Sequence, residues 1–380
     1  MNAIDDLRLH SALIGREGSR CELNTPVLVI DRDPLERNIA RMADFARASG
    51  VALRPHAKTH KSLDIARLQI AAGAVGVCCA KLGEAEALAD GGIEQMLITS
   101  PVVSAPAMAR LAALNRRVAV KVVVDNPANV LTLSKVIGNE RLEVIIDVDP
   151  GIRRTGVTTP EIALALCKLI RGTSNLSFAG IQFYCGLQQH IPAYTTRREV
   201  MEERVRYLRS IIELLSRNDC APAIVTGSGT GTHCIDAALG VFTEWQVGSY
   251  VFMDRQYGEC DLKGDGSTAY EHSLFVDARV VSCNTPGMAT VDAGFKALST
   301  DAGPPVVAWG APAGSTYHFM GDEHGAIVDP AQAKQWSIGE LVRLITSHCD
   351  PTVNLYDAYH VVRGETLVDI WPVTARGRSR

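Results

Sequence analysis

The stretch Val51-Ala-Leu-Arg-Pro-His-Ala-Lys-Thr-His-Lys61 is a short apolar run followed by a lysine that stands between two histidines. The apolar start predicts a β-strand, which places Lys58 just past the strand end, at the mouth of an α/β unit. Neighbouring cationic groups such as His56 and His60 disfavour a charged amine. The pattern therefore predicts a depressed pKa for Lys58 and amine nucleophile chemistry. For this pattern alone a basic surface loop is the commoner outcome, so the rest of the chain has to decide.

Apolar, β-branched runs alternate with amphipathic helical stretches through the first two thirds of the chain. Such near-continuous apolar strands indicate a parallel sheet covered by helices on both faces. Eight of them fit a closed (β/α)8 TIM-type barrel, whereas the G-x-G-x-x-G signature of a doubly wound sheet is absent after the first strand. The eight predicted barrel strands are residues 51–54, 75–79, 96–99, 118–125, 144–149, 178–184, 223–227 and 245–252.

The pattern changes after about residue 258. Short apolar runs at residues 278–282, 289–292, 306–308, 352–355 and 361–363 are separated by Gly, Pro and Asn, without long helices between them. This pattern predicts a second, mostly antiparallel β domain, which an extra early strand at residues 27–31 can join. We therefore predict a barrel over residues 33–257 and a β domain from residues 1–32 and 258–380.

Composition limits the possible functions. The chain has 380 residues, 47% apolar and 21% charged, with a net charge of −4, which is ordinary for a globular protein of about two domains. No basic block stands out, so nucleic acid and membranes are not expected partners. No apolar run approaches the roughly 20 residues of a membrane span. With no secretory signal and ten scattered cysteines without a CxxC pair, we expect a cytoplasmic protein with free thiols.

Polar groups follow several of the predicted strands, where a barrel carries its functional residues. Arg153 and Arg154 follow the fifth strand, and Tyr184 ends the sixth. The run Thr226-Gly-Ser-Gly-Thr-Gly-Thr232 follows the seventh strand, and Gly248-Ser249 lies in the eighth. Backbone amides and hydroxyls of this kind can bind a phosphate. A phosphate site and a lysine at one barrel mouth indicate pyridoxal phosphate held through the lysine.

With these motifs the chain resembles the fold-type III pyridoxal-phosphate enzymes, the alanine-racemase-like group. Within that group it is most similar to the D-threonine aldolase, D-3-hydroxyaspartate aldolase and D-serine dehydratase family. The motifs that carry the resemblance are Arg54-Pro-His-Ala-Lys-Thr-His-Lys61, Gly180-Ile-Gln-Phe-Tyr184 with Gln189-His190, Gly229-Thr-Gly231, Gly248-Ser-Tyr-Val-Phe-Met-Asp254, Asp322-Glu-His-Gly325 and His348-Cys-Asp-Pro-Thr-Val-Asn354.

The resemblance implies a role for each matching residue. Lys58 would be the Schiff-base lysine, Arg154 would contact the phenolic oxygen of the cofactor, and Tyr184 would stack on its ring. Gln246 occupies the position of the partner of the pyridine nitrogen. A neutral glutamine is not expected to hold that nitrogen protonated, so the ring should be a modest electron sink. The phosphate would be held by Gly229, Thr230, Gly231, Gly248, Ser249 and Tyr257.

The pair His348-x-Asp350 predicts a divalent cation site. In an extended segment, residues i and i+2 point to one face, so an imidazole and a carboxylate can share a cation. In the resembled family, H-x-D or H-x-C at this position binds an activating metal. Aspartate is a harder ligand than cysteine, which favours Mn²⁺ or Mg²⁺, with Zn²⁺ and Co²⁺ as alternatives.

The resemblance implies a homodimeric lyase that cleaves a D-β-hydroxy-α-amino acid to glycine and an aldehyde. His190 and His56 are the candidate bases for the β-hydroxyl, and a metal-bound hydroxide is a third. The nearest alternative is β-elimination on the same scaffold, as in a D-serine or 3-hydroxyaspartate dehydratase. A non-catalytic pyridoxal-phosphate carrier is a remote alternative. Ala80, where several aldolase relatives carry a glutamine, leaves the substrate less well defined than the cofactor.

Overall fold

Two sheets contain the strands of the computed structural model, which describes residues 3–380. The first sheet has eight parallel strands in the order β2-β9-β8-β7-β6-β5-β4-β3. Their bounds are β2 Ala52–Leu53, β3 Val77–Cys79, β4 Gln95–Ile98, β5 Ala119–Val124, β6 Leu142–Asp147, β7 Leu176–Phe183, β8 Ile224–Gly227 and β9 Glu244–Trp245, with β1 (Val27–Asp31) in the other sheet.

The lysine segment closes this sheet into a barrel. A parallel bridge pairs His56 with Cys78, between the ends of β2 and β3. The Ala57 amide donates to the Cys78 carbonyl and the Cys78 amide donates to the Pro55 carbonyl, both at 2.8 Å. The residues just before Lys58 therefore join the first and last strands of the sheet, and the predicted TIM-type barrel is confirmed.

Helices cover the barrel, and polar caps set where several of them begin. Ser62, Ser104 and Thr159 each accept a hydrogen bond from an amide of the first helical turn, as N-cap residues do. The helices are α1 Ala3–His10, α2 Arg32–Ala48, α3 Leu63–Ala71, α4 Leu82–Asp90, α5 Ala105–Asn115, α6 Pro127–Ile137, α7 Pro160–Arg171, α8 Tyr194–Ser216, α9 His233–Leu239, α10 Arg255–Gly258 and α11 Cys349–Val353, with 3-10 turns at Ser11–Leu13, Ser19–Glu22 and Ser249–Val251.

The eighth barrel strand is shorter than predicted. It ends at Trp245, and Ser249–Val251 forms a 3-10 turn, so Gly248 and Ser249 lie in the loop after the strand and not within it. The apolar run is explained by burial, since Tyr250 and Phe252 are at most 1% exposed. Apolar composition predicted that these side chains are buried, but burial alone does not require an extended backbone.

The second sheet is mostly antiparallel, as predicted, and β1 lies inside it. Strand β1 pairs antiparallel with β10 and parallel with β16. The order is β13-β14-β11-β10-β1-β16-β17, and β15 pairs with β10 and β12. Its later strands are β10 Leu274–Ser282, β11 Met288–Val291, β12 Val306–Trp309, β13 Thr316–Phe319, β14 Gly325–Val328, β15 Leu341–Ile345, β16 Ala358–Arg363 and β17 Thr366–Pro372.

One predicted strand of this sheet is wrong. Residues 352–355 were expected to be extended, but helix α11 covers Cys349–Val353. Pro351 lies in its first turn, where the missing amide costs no hydrogen bond, and the Thr352 hydroxyl donates back to the His348 carbonyl at 2.9 Å. The domain boundaries at residues 33 and 257 stay a prediction. In the part of the chain that the structure describes, no helix has the length and apolar character needed to cross a membrane.

Candidate active site

A cavity of about 570 Å³ opens among the loops that follow the barrel strands. Its lining comes from segments that are far apart in sequence but meet at the carboxyl ends of parallel strands. Ten of the predicted cofactor and catalytic residues line it: His56, Lys58, Arg154, Tyr184, Gly229, Thr230, Gln246, Gly248, Ser249 and Tyr257. The other four predicted residues, Gly231, His190, His348 and Asp350, lie outside this lining and have the contacts described below.

The Lys58 amine forms an ion pair with Asp350 and donates to its Oδ2. Although burial opposes the charge, Asp350 raises the pKa of Lys58 above its ordinary value. In return, Lys58 holds the pKa of Asp350 well below its usual range, against the effect of burial. The depressed pKa predicted for Lys58 is therefore wrong. The cause is a carboxylate 292 residues away in sequence, which the histidines beside the lysine do not indicate.

His348 lies next to this ion pair and is held by a second carboxylate. Its Nδ1 donates to Asp301 Oδ2 at 2.6 Å, and its Nε2 has no partner among residues 3–380. Ser299 Oγ donates to the His348 carbonyl at 3.0 Å and ties the Asp301 loop to α11. The His348–Asp350 segment is not extended as predicted, because Asp350 lies in the first turn of α11. The site thus offers one free imidazole nitrogen and a carboxylate.

The two candidate bases differ in their free nitrogens. His56 Nε2 bonds to Thr99 Oγ1 at 3.1 Å, and His56 Nδ1 accepts from the Lys58 amide at 3.4 Å. His190 Nδ1 is buried and has no partner among the described residues. Burial, together with the positive charges near it, lowers the pKa of His190 to about 4. His190 is therefore neutral at physiological pH, and its Nδ1 is not used in any hydrogen bond with the described residues.

The glycine-rich loop after β8 is shaped by Gln189. Gln189 is fully buried, and its Oε1 accepts from the Gly231 amide at 2.9 Å. A Cβ at Gly229 or Gly231 would collide with Gln189, which explains glycine at both positions. Within the described residues, the amides of Gly229, Thr230 and Gly248 donate to no protein atom. These free donors fit an anion such as a phosphate.

Three ring side chains lie near the lysine. The Arg154 guanidinium lies 5.6 Å from the ring centroid of Tyr184, and the rings of His190 and Tyr257 are 4.5 Å apart. Burial raises the pKa of both Tyr184 and Tyr257. Both phenols therefore stay neutral and provide flat, apolar faces with one hydroxyl each.

Sequence reasoning missed several residues around the cavity. Gln182 lines it, but the sequence analysis placed it only within a longer motif. No local sequence pattern indicates that Asp147 or Asp301 lies near the site, although Asp147 contacts Gln182 and Asp301 contacts His348. Glu84 accepts from the Ala80 amide at 2.8 Å and pairs with Lys61. Lys61 thus supports the loop that carries Ala80 and Lys81.

A cluster far from the barrel mouth brings together three potential metal-ligand atoms, from Asp6, His10 and His360, within 4.8 Å. The hydrogen bonds oppose metal binding there. The Asn24 amide donates to His10 Nε2 at 3.0 Å, so His10 Nδ1 carries the proton and donates to His360 Nε2 at 2.8 Å. The cluster is a buried, neutral histidine pair with a structural role.

Comparison with known proteins gives the same architecture in two parts. Residues 30–256 match the family model described as alanine racemase, N-terminal domain. Residues 273–362 match the model described as putative serine dehydratase domain.

Full-length relatives extend this similarity. The chain is 41% identical to a D-threonine aldolase of Arthrobacter sp. over 360 residues, 94% of each protein. It is 38% identical over 375 residues to a 3-hydroxy-D-aspartate aldolase of Paracoccus denitrificans (strain Pd 1222), covering 97% of this chain and 95% of that one. The crystal structure of D-threonine aldolase from Filomicrobium marinum superimposes with a TM-score of 0.91 and 38% identity, covering 94% of this chain and 97% of that one.

Proposed function

Because the chain belongs to the alanine racemase N-terminal domain family, we propose that it is a pyridoxal-phosphate- and divalent-metal-dependent lyase. Its substrates would be D-β-hydroxy-α-amino acids, which it cleaves to glycine and an aldehyde. The 41% identity to a D-threonine aldolase supports this class of reaction. The observation that carries the proposal is the contact between Lys58 and Asp350. It joins the predicted cofactor lysine and a predicted metal ligand at one point.

The cavity fits pyridoxal phosphate. The free amides of Gly229, Thr230 and Gly248 suit its phosphate, and Ser249 and Tyr257 complete that end of the cavity. Gly231 would act from behind this lining, because its amide already donates to Gln189. The Lys58 amine enters the same cavity as Arg154 and Tyr184, which would hold the phenolic oxygen and the ring. When bound, this cofactor withdraws electrons from the bonds at Cα of an attached amino acid.

The donor set beside the cavity fits a hard divalent cation. His348 offers Nε2, and Asp350 keeps Oδ1, which receives a weak thiol contact from Cys349 at 3.6 Å. Asp301 fixes the His348 tautomer so that Nε2 carries the lone pair. A cation held there would lower the pKa of a coordinated hydroxyl. One nitrogen and carboxylate oxygens favour Mn²⁺ or Mg²⁺ over Zn²⁺ or Co²⁺.

His190 is the better candidate to take the proton of the β-hydroxyl. It is neutral and has an unpartnered nitrogen, whereas both nitrogens of His56 are engaged by Thr99 and by the Lys58 amide. A general base needs a free lone pair within reach of the proton. His56 would instead hold the backbone at Lys58 in place.

The protein would act as a homodimer in the cytoplasm, with a small D-amino acid as its partner molecule. The barrel would span residues 33–257, and residues 1–32 and 258–380 would form the β domain that carries the metal site. The contact of α11 with Lys58 supports this division, because it gives the β domain a role at the barrel mouth.

Product analysis tests the proposed function. Purified protein supplied with pyridoxal phosphate and Mn²⁺ is incubated with D-threonine, D-3-hydroxyaspartate and D-serine. Glycine with an aldehyde is the expected result. A 2-oxo acid with ammonia would instead indicate a dehydratase, the alternative that the match of residues 273–362 favours. Cofactor bound to Lys58 without turnover of any of these substrates would indicate a carrier.

A further inference from the structure

Three polar side chains form a chain of hydrogen bonds from the barrel wall to the cavity. Asp147 ends β6 and is 4% exposed. Gln182 Nε2 donates to Asp147 Oδ1 at 2.9 Å, and Gln246 Nε2 donates to Gln182 Oε1 at 3.1 Å. Gln182 and Gln246 both line the cavity. We call these three residues the amide relay.

The orientation of the Gln182 amide follows from its neighbours. Its Nε2 faces the Asp147 carboxylate and also donates to the Thr99 backbone carbonyl at 3.2 Å. Asp147 in turn accepts from the Thr155 hydroxyl at 2.7 Å. A carboxylate and a carbonyl can only accept hydrogen bonds, so the NH₂ group of Gln182 has to face them. Its oxygen is therefore directed at Gln246.

The orientation of Gln246 follows from that of Gln182. Its Nε2 donates to Gln182 Oε1 at 3.1 Å and to Thr226 Oγ1 at 3.0 Å, which uses both hydrogens. Its Oε1 accepts no hydrogen bond from the residues that the structure describes. A reversed amide would set this oxygen against the oxygen of Gln182, a contact between two acceptors. Gln246 thus presents a hydrogen-bond acceptor to the cavity and no donor.

We propose that Gln246 Oε1 accepts a hydrogen bond from a protonated ring nitrogen of bound pyridoxal phosphate. Asp147 and Gln182 are then positioning residues that keep the amide in this orientation. The proposal rests on the proposed function, in which Gln246 is the partner of the ring nitrogen. A neutral pyridine nitrogen is itself an acceptor, so only its protonated form can pair with Oε1. This reverses the expectation from sequence that a glutamine leaves the ring a modest electron sink.

The protonation of the ring nitrogen can be measured directly by ¹⁵N NMR. The holoenzyme is reconstituted with pyridoxal phosphate that carries ¹⁵N in the ring. Wild type is expected to show the shift of a pyridinium nitrogen, and Gln246→Glu should keep it, since a carboxylate only accepts. Gln246→Leu removes the acceptor, and Gln182→Leu frees Gln246 to turn its NH₂ group towards the ring. Both changes should move the signal to that of a neutral nitrogen.

The control is Gln69→Leu, which removes a buried glutamine outside the relay that donates to the Tyr250 hydroxyl at 3.1 Å. Its ¹⁵N signal should match wild type. A neutral nitrogen in wild type, or an unchanged signal in both leucine variants of the relay, would overturn the proposal. Borohydride trapping on Lys58 distinguishes failure of this proposal from failure of the proposed function. A trapped cofactor with a neutral nitrogen overturns this proposal alone, and failure to trap any cofactor overturns the proposed function with it.

Discussion

The barrel rim around Lys58 lines the cavity, and the short helix α11 contacts that rim through Asp350, but the two regions depend on the fold in different ways. Lys58 and His56 are two residues apart, in the segment that closes the barrel through the bridge to Cys78. Asp350 reaches Lys58 from 292 residues further along the chain. The rim supplies the amine, and the distant helix decides its charge. The pKa of Lys58 is thus a property of the two regions together.

Asp254 connects these two regions. It is fully buried, and its carboxylate accepts from the Tyr257 amide at 3.1 Å and from the Cys349 amide at 3.0 Å. One oxygen therefore holds the end of the barrel chain and the other holds the start of α11. Through these contacts of Asp254, helix α11 is fixed to the end of the barrel chain, which keeps Asp350 close to Lys58.

The largest expected effect lies on the rim. Lys58→Ala should lower the lyase rate by roughly 10⁴-fold or more, the scale on which removal of a covalent catalytic group acts. Borohydride should fix the cofactor on Lys58 in wild type and on no residue of the variant, as shown by peptide mass spectrometry. Lys81→Ala is the control, because Lys81 lines the same cavity and should leave trapping intact. Trapping on another lysine would show that Lys58 is not the lysine that holds the cofactor.

His190→Gln should lower kcat by about 10²- to 10⁴-fold, the usual contribution of a general base. The matched change His56→Gln should cost less, because both nitrogens of His56 already serve hydrogen bonds within the fold. Since the pKa of His190 is about 4, the wild-type rate should fall only as the pH drops towards that value and protonates the base. A larger loss for His56→Gln in the same kinetic assay would assign the proton transfer to the rim histidine instead.

On the α11 side, removal of the metal should lower activity while the cofactor stays bound to Lys58. Chelator should abolish the activity of wild type, and Mn²⁺ should restore it. Asp350→Ala should lower metal affinity or rate by at least about 10- to 100-fold while cofactor trapping on Lys58 persists. Asp265→Ala, which removes an exposed carboxylate, is the control. Wild-type activity that persists in the presence of chelator would show that the reaction does not depend on a bound metal.

The smallest effect is expected at Asp301, which hydrogen-bonds to His348. Asp301→Ala should weaken Mn²⁺ binding by about 10-fold, because the imidazole loses the partner that orients it. Asp301→Asn should lose less, since the amide oxygen can still accept from Nδ1. Isothermal titration of the cofactor-loaded protein with Mn²⁺ measures both, with the exposed Asp322→Ala as control. Equal affinity in wild type and Asp301→Ala would show that His348 needs no orienting partner.

The barrel and most of the cavity were predictable because their signals are local. Runs of β-branched residues predicted the strands, and Lys58, Arg154 and Tyr184 could be placed by counting strand ends. The loop at Ser249–Val251 and helix α11 were not predictable in this way. Their apolar residues are buried against other elements, and burial of this kind does not identify the backbone conformation.

The sequence by itself determined the parallel barrel, the second antiparallel sheet and the position of Lys58 at a strand end. Only the tertiary structure decided that Asp350 is the partner of Lys58, that His56 has no free nitrogen, and that the oxygen of Gln246 faces the cavity. The physical reason is the difference between separation along the chain and distance in space. Strand and helix patterns arise from neighbours a few residues apart, so they are written along the chain. Charge pairing and hydrogen-bond direction depend on atoms within a few ångströms in space, which the chain brings together only by folding.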